Sequence, residues 1–104
     1  MKQNDHPPAN FALALRIARQ ALGTTQEQFD LVSSRTYISA LERGLKQPTL
    51  RKVDQLATVL GLHPLTLLTL SYVLASAEGS PGLDTLIGMV RDETSEVLAA
   101  NGLE

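Results

Sequence analysis

The 104-residue chain has no cysteine and no tryptophan, and only two phenylalanines and two tyrosines. Without thiols there is no disulfide, no cysteine nucleophile and no cysteine-ligated zinc, and a reducing compartment fits. With so few aromatics, the core has to be built from Leu, Val, Ile and Ala. Long hydrophobic runs are missing too. The most apolar stretch, Pro64 to Ala77, covers 14 positions and is interrupted by Thr66, Thr69, Ser71 and Ser76. A membrane-spanning helix needs about 20 apolar residues, so this one is too short. The opening MKQNDHPPAN is polar, unlike a secretory leader. A soluble, cytoplasmic protein is expected.

Catalytic groupings are equally scarce. The two histidines are His6, in the polar opening, and His63, beside Pro64, and neither stands among clustered carboxylates. His63 suits a helix cap better than a metal ligand. There is no glycine-rich phosphate loop, and no serine has a histidine partner in the same region. The expectation is no enzyme activity, no metal and no cofactor.

Acidic charge dominates overall, with a formal net charge of −2 and a pI near 5.6. The distribution is uneven. Residues 1–70 carry eight Lys and Arg against five acids, a balance of +3. Residues 71–104 carry one Arg against six acids, a balance of −5. Such asymmetry between halves accompanies nucleic-acid modules that carry a separate acidic element.

The patterning is helical throughout, with no strand alternation and no internal repeat. Residues 1–9, with two prolines, read as a flexible N-terminal arm. Asn10 caps a first helix, Phe11 to Leu22, closed by Gly23, with Phe11, Ala14, Leu15, Ala18 and Leu22 as its core stripe. Leu13 and Ile17 fall on the far side. A second helix starts at Thr24 or Thr25, with Glu27 in its first turn. A third covers Arg35 to Arg43, with Ile38 and Leu41 inward and Gly44 as its stop. A fourth opens at Pro48–Thr49 and buries Leu50, Val53, Leu56, Ala57 and Leu60 before Gly61. Pro64 opens a fifth. EGSPG at 78–82 is a break, and a sixth helix runs over about 83–100.

Several of these pieces, in this order, resemble the phage-repressor-like, Cro-like (XRE) helix-turn-helix family. The carriers are Arg16 and Arg19 in the first helix, TQEQF opening the second and RTYISALERG as the third, with KQPTL and LATVLGL bounding the fourth. Residues 11 to about 70 are covered, more than half of the chain. The resemblance implies an all-α fold: a four- to five-helix repressor-like DNA-binding bundle over 10–77, with an extra C-terminal acidic amphipathic helix over 78–104. It also implies that the third helix enters the major groove, which is about 12 Å wide and admits one helix. On that basis Arg35, Thr36, Ser39 and Ala40 read bases. Arg35 is suited to guanine O6 and N7 and Thr36 to a thymine methyl. Tyr37, Arg43 and Lys46 take phosphate, while Gln26 bonds phosphate and supports the third helix. The alternatives are a solvated first-turn residue for Arg35, help in starting the helix for Thr36, cover for the domain edge for Tyr37, and ordinary surface cations for Arg43 and Lys46. Arg19 and Glu42 form a partly buried ion pair by the same resemblance. One departure is visible. From TQ to ERG the chain is about two residues shorter than the usual pattern, with Ser33 and Ser34 where a turn glycine is customary. Either the second helix is clipped or the turn is tighter.

The fifth helix is apolar on two opposite faces, Leu65, Leu68, Tyr72 and Ala75 on one and Leu67, Leu70, Leu74 and Ala77 on the other. In the sixth, Leu83, Leu86, Ile87, Val90, Val97 and Leu98 share one stripe with Thr94, leaving Asp84, Arg91, Asp92, Ser95 and Glu96 outside it. Two arrangements follow. The sixth helix folds back in cis over the fifth, onto Leu13 and Ile17, or the two build a homodimer interface through Leu67, Leu70, Leu74, Leu83, Leu86, Ile87, Val90 and Val97. The expected function is a bacterial, dimeric repressor of transcription reading a palindromic double-stranded DNA operator through helix 35–43. The alternative is an antitoxin-like or adaptor protein whose C-terminal helices bind a protein partner.

Overall fold

The computed structural model describes residues 9–75 and 81–103. Among them there are five α-helices and no strand: α1 (Phe11–Ala21), α2 (Arg35–Glu42), α3 (Leu50–Leu60), α4 (Pro64–Val73) and α5 (Leu83–Ala100). A single 3-10 turn, Gln26–Phe29, lies between α1 and α2. The expected arm over 1–9 falls outside the described residues except for Ala9, as do Ala77 and positions 78–80 of the expected break.

Local chemistry places the helix ends. The Asn10 side-chain oxygen accepts from the Leu13 N–H at 3.2 Å, and the Asn10 N–H donates to the Ser71 carbonyl at 2.8 Å. The first bond starts α1 and the second ties its start to α4. Ser34 and Thr49 hydroxyl oxygens accept from the N–H groups of Tyr37 and Lys52, each at 3.1 Å. His63 caps α4, its Nδ1 accepting from the Leu65 N–H at 3.0 Å ahead of Pro64. Each satisfies a donor that a helix start leaves open. Gly61 ends α3 at φ +73°, a left-handed conformation in which a side chain would be strained.

The second helix of the expected six is reduced to this 3-10 turn. Here the chain makes successive short-range bonds, Gln28 N–H to the Thr25 carbonyl, Asp30 to Glu27 and Val32 to Phe29. This is the clipped form of the two the shortened spacing allowed. Phe29 is fully buried and anchors the turn, whereas Leu31, two residues on, is 98% exposed. The Gln28 side-chain oxygen accepts from the Thr25 N–H at 2.7 Å and fixes its start.

The core draws on Phe11, Leu15, Phe29, Ile38, Leu41, Leu56 and Leu67, with Val53, Ala57 and Leu60 beside them. Helix α1 packs on α4 and α2, and α3 packs on α4. Two expected core residues lie outside. Leu22 and Leu50 are exposed because each sits at a helix terminus, beyond the reach of its packing partner. No single described helix is long and apolar enough to cross a membrane.

Both faces of α4 contribute to the core, since Leu68 packs against it and Ala75, just past the helix, is buried, as is Leu67 of the other face. Leu67 is fully buried in the core, and Leu70 and Leu74 pack against it, so the dimer-interface role expected of Leu67 is withdrawn. Leu65 and Tyr72, on the opposite side, are exposed. Helix α5 meets α4 but has no buried residue. Leu86 and Leu98 are half-buried, and Leu83, Ile87, Val90 and Val97 are open to solvent. The cis arrangement therefore covers only part of its apolar stripe.

Leu56→Ala, which empties a fully buried site in α3, should lower unfolding free energy by about 2–5 kcal/mol. Urea denaturation of the two proteins measures the difference.

Candidate nucleic-acid interface

Helix α2 is held at its inner end by a charge network. Arg19 Nε donates to Glu42 Oε2 at 2.6 Å and Arg19 Nη2 to Glu42 Oε1 at 2.9 Å, a bidentate pair with side chains 17% and 5% exposed. Arg19 Nη1 also donates to the Thr24 carbonyl at 3.3 Å. Gln26 Nε2 donates to Glu42 Oε1 at 3.2 Å. The hydrogen bond to Glu42 pushes the Arg19 guanidinium further above its ordinary range, against the opposing effect of burial. One carboxylate thus links the end of α1, the start of the 3-10 turn and the last residue of α2. The pair expected from the motif is present. Gln26 engages α2 directly, and a phosphate contact would draw on its remaining amide hydrogen.

At about 100° per residue, Arg35, Thr36, Ser39 and Arg43 share one arc of α2, turned away from Ile38 and Leu41. Arg35, Thr36 and Arg43 are exposed and Ser39 is half-buried. Ala40 is not part of this face. It is 7% exposed, about 40° beyond Thr36 at the arc's edge, and offers no surface to a base. Its expected base contact is withdrawn. Arg43 Nε donates to the Ser39 carbonyl at 3.4 Å, leaving the guanidinium in solvent, and Lys46 follows in the exposed loop. Gly44, at φ +75°, turns the chain out of α2, with its Cβ position 3.8 Å from Ala12 of α1.

Lys52, which no motif picked out, and Glu27, expected only as a first-turn acid, also shape this surface. Lys52 Nζ donates to the Val32 carbonyl at 2.6 Å and lies 5.6 Å from the centre of the half-buried Tyr37 ring. It thereby pins the turn before α2 to α3 and occupies one side of the ring expected to meet phosphate. No local pattern announces a bond between residues 20 apart. At the outer end of α2, Arg35 Nη1 lies 3.0 Å from Glu27 Oε1. The Glu27 carboxyl is held below its ordinary range, first by its own backbone N–H and then by Arg35. Both residues border an open cleft of about 410 Å³, together with Arg19, Thr24, Thr25 and Gln26.

The arrangement presents cations and hydroxyls along a short helix whose other side is core. It can enter a major groove and hydrogen-bond to base edges and phosphates. Among the described residues, no group of three or more His, Asp and Glu could hold a metal ion.

Removing Arg19 would leave Glu42 charged and nearly buried. Arg19→Ala should cost about 3 kcal/mol, the lower end for a buried pair because Arg19 keeps some contact with water. Loss of DNA binding in this variant should track its urea unfolding curve and vanish when only folded protein is counted.

A helix-turn-helix family model matches residues 15–67, just over half of the chain, from the middle of α1 into α4. No curated protein and no solved structure matches it. The match encloses the Arg19–Glu42 network, the 3-10 turn and the whole of α2, and this chain belongs to the XRE-like helix-turn-helix family of DNA-binding transcriptional regulators.

Proposed function

We propose that the protein is a dimeric repressor that reads a palindromic operator through α2. The observation that carries the reading is the exposed arc of Arg35, Thr36, Ser39 and Arg43 on a helix fixed from behind by Glu42. Arg35 contacts guanine O6 and N7, and Thr36 meets a thymine methyl. Ser39 reaches a neighbouring base edge. Arg43, Lys46, Tyr37 and Gln26 contact phosphate and set the register of the helix on the duplex.

Residues 10–77 form the DNA-binding part and 78–104 the self-association element. Supporting this division, α5 keeps Leu83, Ile87, Val90 and Val97 exposed while its partner α4 turns Leu65 and Tyr72 outward. Pairing of α5 with a second copy covers this surface, with Leu70 and Leu74 behind it. Two recognition helices about 34 Å apart then meet successive half-sites and multiply specificity. The same open stripe favours the second reading, in which α5 binds a different protein, as an antitoxin does. Light scattering separates the two, since only self-association doubles the mass of the purified chain.

Selection from a random duplex library followed by gel shifts at two salt concentrations tests the DNA reading. A selected sequence should bind more tightly than its scrambled counterpart, with an affinity that falls steeply with salt. Arg35→Ala should weaken specific binding by about 1–3 kcal/mol and relax one base position. An unaltered base preference would remove Arg35 from the reading set. Charging exposed residues of α5, as Ile87→Asp with Val90→Asp, should produce a folded monomer with poor operator affinity. A persistent dimer in light scattering would place the main interface elsewhere.

A further inference from the structure

The Arg35–Glu27 pair has no evident structural purpose. Its side chains are 67% and 53% exposed, and exposed pairs contribute little to stability. The ion pair nevertheless joins the leading base-reading side chain to the segment that precedes α2. It sits at the rim of the cleft whose wall is the Arg19 network.

A guanidinium carries five N–H donors. Glu27 Oε1 faces Nη1 at 3.0 Å as an ion pair, and the Nε and Nη2 edge of Arg35 carries no hydrogen bond to the described residues of the protein. That edge can donate two parallel bonds to guanine O6 and N7, which are uncharged acceptors. A phosphate competing for Arg35 has to approach beside a carboxylate, where like charges repel. Glu27 therefore penalises phosphate capture of Arg35 more than it penalises guanine. It also restrains a long side chain that would otherwise sample many rotamers before contact, an ordering cost that accompanies any binding event. The depressed titration of the Glu27 carboxyl keeps it anionic at neutral pH.

We propose that Glu27 is a specificity-determining positioning residue, holding Arg35 for guanine and disfavouring its capture by phosphate at non-operator DNA. This inference rests on Arg35 being a base reader. Glu27 touches no base itself. Its contribution is to the ratio of specific to non-specific binding, so a consensus of contacts drawn from affinity alone would miss it.

The test compares wild type, Glu27→Gln, Arg35→Ala and the double variant, all as the full chain. Each is titrated by gel shift against the duplex selected by the wild type and against the same duplex scrambled. Glu27→Gln should tighten scrambled-duplex binding by about three- to tenfold and selected-duplex binding by less, broadening preference at the Arg35 position. With Arg35 already removed, Glu27→Gln should change both duplexes by the same factor. Equal tightening on both duplexes in the presence of Arg35 would overturn the proposal and leave Glu27 a plain surface charge. If Arg35→Ala leaves base preference unaltered, the reader assignment itself fails and takes this inference with it. A library that yields no preferred duplex defeats the sequence-specific reading as a whole. Thermal melting of Glu27→Gln, at an exposed site, should match wild type.

Discussion

The placement of α2 depends on one nearly buried carboxylate. Glu42 is the last residue of α2, and its two oxygens accept from Arg19 in α1 and from Gln26 at the start of the 3-10 turn. A buried carboxylate is tolerated only when paired and hydrogen-bonded, and its partners are then held to a narrow geometry. Three segments distant in sequence are thus oriented by one group. The network has a direction: it grips α2 at its C-terminal end, by the core. The N-terminal end, where Arg35 and Thr36 lie, is held by the Ser34 cap, by buried Ile38 and by Lys52, which ties the preceding turn to α3.

The charges resolve how an acidic chain presents itself to DNA. Of the eight cations before residue 71, Arg19 and Lys52 are consumed internally, one by Glu42 and one by the Val32 carbonyl. Arg35, Arg43 and Lys46 remain exposed on or just beyond α2. The acids that make the whole chain negative are concentrated on α5, where Asp84, Asp92, Glu93 and Glu96 are all exposed. Phosphate attraction is a short-range matter at physiological salt, where the Debye length is about 8 Å. The local balance around α2 therefore matters more than the net charge of the chain.

Helix positions were legible wherever the controlling interactions are local. Asn10, Ser34, Thr49 and His63 each cap a helix within two or three residues, and the stripe Val53, Leu56, Ala57 and Leu60 turns inward as its spacing requires. Periodicity was less informative at the ends of stripes, since Leu22 and Leu50 satisfy the angular rule yet lie past the partner helix. On α2 the same rule placed Ala40 at the margin of the outward arc, where a few tens of degrees separate a base contact from burial. The shortened run between Thr25 and Glu42 signalled an irregularity. Its form, a 3-10 turn around Phe29, depends on how deeply that ring enters the core.

The amino-acid order alone determined the helical class, the capping positions, the charge asymmetry and the family, because each rests on neighbours three or four residues apart or on motifs in series. Tertiary structure decided the rest. Helix α4 is apolar on both sides, so no periodicity could choose between Leu67 and Leu65 for the core; packing against α1 and α3 made that choice. The Arg19–Glu42 pair was implied by the motif series, whereas the Lys52 bond to the Val32 carbonyl spans 20 residues that no local pattern encodes. The open stripe of α5 was likewise settled in three dimensions, since an amphipathic helix states that it needs a cover but not which surface supplies it.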